Sequence, residues 1–516
     1  MKKEILISED KYESRCAILE NGLLSEIYIE RQNEQRVLAN IYKGRVDNVL
    51  PGMQIAFVEI GLEKHGFLHA SDIEYSFEDI EDDNATTKIH ADLDDSPPRR
   101  QKRRKTEPAI TDVIETGQEI LVQVAKAAMG TKGARITSTV SLPGKYVVYL
   151  PTSSSVGISR RIESAEERLR LKDLVQSFRT DTEGGFIIRT AAEGKSEENL
   201  SAEINYLLNT WQKINQKASR VRAPSLIHKD LGFTERIIRD YFNSDVNELI
   251  IDSKLQYETA INYFTQLLPE FKSRVKFYKA KSISMMEKFG IETGLKKALG
   301  QKVWLRSGAY IIIEQTEAMV SIDVNTGKFT GENDADNTIL KANLEAAEEI
   351  VRQLRLRDLG GIVVIDFIDM DRHEDRRKVY QALQQEIKRD RAKTNILRIS
   401  ELGLVEMTRQ RTRPSITSVL TQICPYCDGH GFVLSVDTVV TNVLRAIKKA
   451  AHKSQKRKFK VIANELVVSR LLDRRSKLIQ QLKQEMDLHI RIEGNVDLHL
   501  EDYQILDEYD RQIRLD

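Results

Sequence analysis

Three cysteines in 516 residues are too few for a disulfide framework, so the chain carries no mark of an oxidising compartment. Net charge is almost absent: 79 basic against 78 acidic side chains leave +1. No global field gathers a polyanion, and any nucleic-acid affinity must come from local patches. No apolar run approaches the ~20 residues that span a bilayer. The opening MKKEILISEDKYES meets acids before an apolar stretch of signal-peptide length forms. These absences point to the cytoplasm. At 41% hydrophobic and 30% charged the composition is that of a folded protein, long enough for several cores.

Residues 38–70 read as short strands with glycine between them, the pattern of a small barrel of the oligonucleotide-binding type. Residues 74–110 interrupt it: EDIEDD gives way to DDSPPRRQKRRKTEP, a composition that predicts a disordered loop. Strand-like sequence resumes at QEILVQVAK (118–126), so the charged segment is expected to be an insertion in the barrel. Strands and charged helices follow from 140 to 230, strand and helix alternate from 300 to 420, and after 436 the chain turns helical and basic.

Two apolar stretches run into bare aspartates. In MVSIDVN, alternation puts Asp323 and Asn325 on one face, with Ile322 and Val324 on the other. Leu340, Leu344, Ala347, Val351 and Leu354 then recur at helical spacing, with Asp336 or Asn337 as cap and Gly360 and Gly361 as stop. IVVIDF, apolar on both faces, predicts a buried central strand ending at Asp366. A strand–helix–strand crossover brings its strands together in parallel, so Asp323 and Asp366 should share one sheet edge. Neighbouring carboxylates repel and cost free energy to desolvate, and a divalent cation relieves both. Mg²⁺ suits two carboxylates plus a phosphate oxygen, and Asn325 can orient the group. Asp369, three residues on, is expected to face away. Taken singly, either aspartate is better read as a loop cap, and DVNTG is a good turn; the paired placement is what points to a metal.

Cys424 and Cys427 stand in ICPYCDGHG, the shape of a zinc knuckle, but tetrahedral zinc needs four ligands and no second C-x-x-C exists. Two chains giving two thiolates each would complete it, as a symmetric dimer; His430 is an alternative third ligand. The glycines after the pair speak against a redox turn that opens a helix. Phe57 and Phe67 lie in successive barrel segments, where they either stack bases or fill the core. Lys132, among glycines in MGTKGAR, leaves room for a phosphate or base. Arg189 and Thr190 in IIRTAAEG offer a guanidinium fork and a hydroxyl suited to a terminal phosphate. Arg409, Arg411 and Arg413 alternate in EMTRQRTRP and read equally as an RNA-facing row or a solvated face.

Together GFLH, SLPGKY, GISRRIE, IIRTAAEG, SIDVNTGKFTG, NLEAAEEIVRQLRLRDLGGIVVIDFIDM, EMTRQR and CPYCDGHG resemble the ribonuclease E/G family of bacterial endoribonucleases, from about residue 5 onward. The likeness is to its short ribonuclease G type, without the long scaffold tail. The resemblance implies an α+β multidomain fold. An RNase H-like scaffold (1–35 and 235–298) would carry an S1-type OB barrel (36–138) and a 5′-sensor subdomain (139–234). A DNase I-like catalytic subdomain (299–419), a zinc-link (420–435) and a small C-terminal α/β domain (436–516) would follow. It implies Mg²⁺ on Asp323 and Asp366, supported by Asn325, and cleavage of single-stranded, A/U-rich RNA to 5′-phosphate and 3′-hydroxyl ends. It further implies 5′-monophosphate sensing by Arg189 and Thr190 with Gly144 and Val148, and an RNA grip by Phe57, Phe67 and Lys132. Zn²⁺ would be shared between Cys424 and Cys427 of two chains, in a homodimer that pairs into a homotetramer. Processing of rRNA and tRNA precursors and mRNA decay are the implied roles. Two departures stand out: the length and charge of 74–110, and Lys393 where the family carries an arginine near the sensor, which keeps the charge without the fork. The competing class is a non-catalytic RNA-binding scaffold or filament protein, which would bind RNA without Mg²⁺-dependent cutting.

Overall fold

Continuous runs buried on both faces, such as Ile5 to Ile7 and Cys16 to Leu19, mark KEILISE, ESRCAILE and LLSEIYIER, which form an antiparallel meander of three strands, Lys3–Glu9, Glu13–Glu20 and Leu23–Arg31. Asn21 and Gly22, with φ of 51° and 78°, close its second turn, where both residues must take the left-handed conformation. The computed structural model describes residues 2–31, 37–73, 109–127, 133–153, 155–178, 184–279, 282–327, 335–400, 403–411, 413–454, 456–473 and 478–513. Two compact units divide the chain, Met1–Thr417 and Ser418–Asp516.

In the first unit, Val246–Ile251 and Val275–Phe277 add in parallel beside Lys3–Glu9, completing a five-stranded mixed sheet. The chain thus leaves this sheet after Arg31 and returns some two hundred residues later, and what lies between is an insertion. Its first part is a closed barrel: Ile41–Leu50, Ile55–Glu59, Gly66–His69, Arg135–Thr137 and Glu119–Lys126, the last pairing back onto Ile41–Leu50. Its core includes Val46, Ala56, Val58, Leu68, Ile110, Val122 and Ile136. Most of the charged insertion, residues 74–108, and Lys132 lie outside the described residues. The second part is a four-stranded sheet, Leu142–Pro143, Val147–Leu150, Gly185–Ile188 and Val156–Ile158, against helices Ala165–Ser177 and Glu197–Arg220. It shares one core with the five-stranded sheet.

The remaining sheet has six strands: Lys302–Trp304, Tyr310–Gln315, Met319–Asn325, Gly361–Asp366, Leu404–Arg409 and, at the edge, Thr394–Ile396. Helix Ala335–Arg357 crosses between Met319–Asn325 and Gly361–Asp366, which pair in parallel as the crossover rule requires. The helix ends not on a glycine but on Asp358, which takes φ 52°. Ile311, Ile313, Ile322, Val324, Val363, Ile365, Val405 and Met407 bury one face against this helix and His373–Ile387. The opposite face is open. The expectation that IVVIDF is buried on both sides fails here: Ile362 is 50% exposed and Val364 half-buried.

Arg355, buried in the crossover helix, ties the two sheets together. Its guanidinium donates to Glu20 Oε1 and Glu26 Oε1, each at 2.7 Å. Of the alternating arginines, Arg409 is internal, Arg413 half-buried and Arg411 exposed. Arg409 is buried between Asp390 (2.6 Å) and Asp358 (3.0 Å), Arg413 pairs with Asp358 over the Tyr28 ring, and Arg411 donates to the Gly360 carbonyl. Arg409 and Arg413 lock strand Leu404–Arg409 to its neighbours, which neither reading foresaw, while Arg411 stays on the surface.

The second unit packs helices Val436–Ser454, Glu465–Leu471 and Leu478–Met486 with a three-stranded sheet of Lys458–Ala463, His489–Gly494 and Tyr503–Leu506. Its core includes Val443, Ile447, Val461 and Ile490. No described helix is long and apolar enough to cross a membrane.

Candidate active site

Asp323 and Asp366 are register partners on the parallel strands Met319–Asn325 and Gly361–Asp366, and both are exposed on the open face of the sheet. Directly paired residues on neighbouring strands project to the same side, so the carboxylates stand adjacent. Asn325 Nδ2 donates to Asp323 Oδ2 at 2.7 Å, fixing that carboxylate's rotation. Partial burial, then the charges of Asp323 and Asp369, push the Asp366 carboxyl above its ordinary range. Asp369 therefore acts on the site although strand alternation excluded it. The strand ends at Asp366, and alternation no longer governs residues 367–369.

That loop is held from behind by a residue the sequence reading passed over. Asn343, fully buried in the crossover helix, donates its amide to the Ile368 carbonyl (2.8 Å) and accepts the Ile368 N–H (3.1 Å). A lone asparagine on an apolar helical face was the available signal. No group of three metal-ligating side chains occurs among the described residues. Two adjacent, exposed carboxylates nevertheless fit a hard cation that keeps most of its waters.

In the barrel, Phe57 and Phe67 are cross-strand partners, half-buried and outside the core. In the four-stranded sheet, Arg189 Nη1 donates to the Gly144 carbonyl (2.6 Å) and approaches Asp240 Oδ1 (3.3 Å), while Thr190 Oγ1 shares a hydrogen bond with Ser159 (3.0 Å). Val148 lies in the neighbouring strand, opposite Ile187. These four candidates are thus gathered at one corner, with Ser159 and Asp240 as members the sequence did not announce. Burial alone would raise the Asp240 carboxyl, but Arg239 and Arg189 outweigh it and hold it low. Gly144 has no room for a side chain, since a Cβ would sit 2.6 Å from the Glu203 carboxyl carbon. That carboxylate accepts the N–H groups of Lys145, Tyr146 and Val147, shaping the turn. Lys393 is exposed at the start of the edge strand. The cation seen at Asp240 from that direction is Arg391, which donates to the Asp240 carbonyl (2.6 Å) and covers the Tyr241 ring.

Within the second unit, Cys424 and Cys427 are free thiols in an exposed turn. The Gly431 N–H points at Cys427 Sγ (3.4 Å), and backbone N–H groups of Tyr426 and Cys427 lower the Cys424 thiol below its ordinary range. Donors aimed at sulfur favour thiolate, the form that binds metal. Tyr426 stacks on His499, whose Nε2 meets the Tyr426 carbonyl at 2.7 Å, anchoring the turn.

The model of the Ribonuclease E/G family matches residues 141–412, and that of the RNase E/G, Thioredoxin-like domain matches 423–509. The chain belongs to the ribonuclease E/G family. It is 41% identical to ribonuclease G of Salmonella typhimurium over 94% of its own length and 95% of that protein's. Ribonuclease G of Haemophilus influenzae is 42% identical over 92% of each chain. Ribonuclease E of Escherichia coli is 35% identical over 94% of this chain but only 44% of its own, so full-length similarity runs with the ribonucleases G.

Proposed function

We propose that the protein is an endoribonuclease that uses Mg²⁺ to cut single-stranded, A/U-rich RNA, leaving 5′-phosphate and 3′-hydroxyl ends. One observation carries the reading: Asp323 and Asp366 are paired in register on the open face of the sheet. Held by these two carboxylates, Mg²⁺ supplies polarisation of the scissile phosphate and a water of lowered pKa. Asp323 and Asp366 bind the cation, Asn325 keeps the Asp323 carboxylate turned towards it, and Asn343 fixes the loop that follows Asp366. Phe57 and Phe67, with Lys132, grip the RNA strand. Arg189, Thr190, Gly144 and Val148, with Lys393 nearby, receive a 5′-monophosphate that stimulates cutting. Cys424 and Cys427 share one zinc with the same pair of a second chain, and two such dimers form a tetramer. The barrel is of the S1 type, the five-stranded sheet an RNase H-like scaffold and the six-stranded sheet a DNase I-like module. The setting is the cytoplasm, and the work is rRNA and tRNA precursor processing and mRNA decay; the names of its relatives, ribonuclease G and ribonuclease E, support action on RNA.

The test is cleavage of a 5′-monophosphorylated A/U-rich oligonucleotide by Asp323→Asn and Asp366→Asn. The rate is expected to fall by more than about a hundredfold, the scale lost with a group that stabilises transition-state charge. RNA binding should persist. Either variant cutting at the unsubstituted rate overturns the assignment, and an unsubstituted protein that binds RNA without cutting it is a scaffold instead.

A further inference from the structure

Trp304 is 59% exposed on the open face of the six-stranded sheet, beside the aspartate pair. It pairs with Tyr310, which in turn pairs with Asn325, the residue bonded to Asp323. Ile312, the next residue on that side of the strand, pairs with Asp323 itself. Each directly paired residue projects to the same side, so Trp304, Tyr310, Asn325, Asp323 and Asp366 share one surface. Strand spacing and rise put the Trp304 backbone about 12 Å from that of Asp323, a step or two along an extended polynucleotide.

The patch is built, not scattered. The indole and the Tyr310 phenol meet at 5.2 Å in an edge-to-face arrangement. The Lys302 ammonium lies 4.3 Å from the first ring centroid and 3.5 Å from the second. Each aromatic is therefore fixed by the other and by a cation spent on rings rather than on a carboxylate. An exposed tryptophan is a large apolar area left in water, and here it has a flat face, a positive charge and a phosphate-directed acid pair alongside. A ligand that answers all three has a π-face and a negative backbone.

We infer that Trp304, steadied by Tyr310 and Lys302, is a stacking platform for one base of the single-stranded RNA that crosses the aspartate pair. The inference rests on the RNA-cutting reading and adds a contact to it. Every base has a π-face, so the platform grips without selecting sequence, and Lys302 meets the adjoining phosphate.

Trp304 is one of only two tryptophans; the other, Trp211, is partly buried in the core of the scaffold and sensor sheets. A Trp211→Phe, Asp366→Asn protein therefore reports on Trp304 alone and does not consume its ligand. Titrated with an A/U-rich single-stranded RNA decamer, its emission is expected to quench saturably, in step with the anisotropy of the labelled RNA. In the active enzyme, Trp304→Ala should raise KM about fivefold or more, with kcat within about threefold, equally for A-rich and U-rich substrates. Trp304→Phe should restore most of the loss. Unchanged emission on bound RNA, or an unchanged KM in Trp304→Ala, overturns the platform while leaving the nuclease intact. If the unsubstituted protein cuts no RNA, the endonuclease reading falls, and the quenching experiment by itself then decides whether Trp304 stacks a base.

Discussion

Phe57 and Phe67 are direct partners across two antiparallel barrel strands, and both remain half-exposed while the residues flanking each are buried. The sequence left open whether they fill the core. Their absence from it makes them a surface pair, and base stacking is worth ~1–3 kcal/mol per base. Phe57→Ala and Phe67→Ala should each weaken single-stranded RNA binding by about five- to a hundredfold in an anisotropy titration. The thermal transition should shift little, because no core contact is lost. A large drop in Tm would make the pair structural.

How far the site was legible follows from what each feature depends on. Asp323 and Asp366 were readable as neighbours because a short helical crossover has one favoured hand and brings its strands together in parallel. Nothing in EMTRQRTRP could reveal that Arg409 is buried or that Arg413 pairs with a buried carboxylate, since their partners Asp358 and Asp390 lie on other segments. The exposure of Ile362 was hidden for a related reason: whether an apolar strand is covered on its second face depends on what packs there. Trp304 escaped notice because an aromatic in a strand reads first as strand propensity. The barrel was legible from its spaced short strands, but not its closure, which needs the pairing of Ile41–Leu50 with Glu119–Lys126 across the insertion.

Removing the cation should separate chemistry from binding. Protein desalted into Mg²⁺-free buffer is expected to bind the oligonucleotide and leave it uncut, and added Mg²⁺ should restore cleavage. Cutting that persists at the full rate after Mg²⁺ is withdrawn would show that the carboxylates serve another purpose.

Two thiolates per chain satisfy half of a tetrahedral zinc. The expected stoichiometry is one zinc per two chains, by elemental analysis. Cys424→Ser with Cys427→Ser should release it and move the light-scattering mass to a smaller species. A full zinc content in that variant, or an unchanged mass, would refute the shared site.

The Arg189 guanidinium is already committed to the Gly144 carbonyl and Asp240, which aims its remaining N–H groups in a fixed direction. Arg189→Gln should therefore reduce the rate advantage of a 5′-monophosphate over a 5′-hydroxyl substrate without lowering the rate on the latter. Equal losses on both would mean that Arg189 holds the fold rather than the phosphate.

Arg355 offers a test of what joins the crossover helix to the five-stranded sheet. Burial alone would raise the Glu20 and Glu26 carboxyls, but the charge and hydrogen bonds of Arg355 outweigh it, and both are held below their usual range. Arg355→Met takes from two buried carboxylates the cation hydrogen-bonded to both, and breaking a buried pair from one side costs ~3–5 kcal/mol. The urea midpoint at pH 7 should fall accordingly. Carboxyls lowered by folding stabilise above their unfolded value of 4.5, and that contribution is lost as pH falls through the folded value. In the variant, Lys3 at Glu20 and Arg391 and Tyr28 at Glu26 are left to oppose desolvation, so both carboxyls move towards the protonated form. The gap between the two proteins should therefore narrow as pH drops below 4.5, because a neutral carboxyl no longer needs the arginine. A gap that stays constant across that range would mean that Arg355 stabilises by packing rather than by charge.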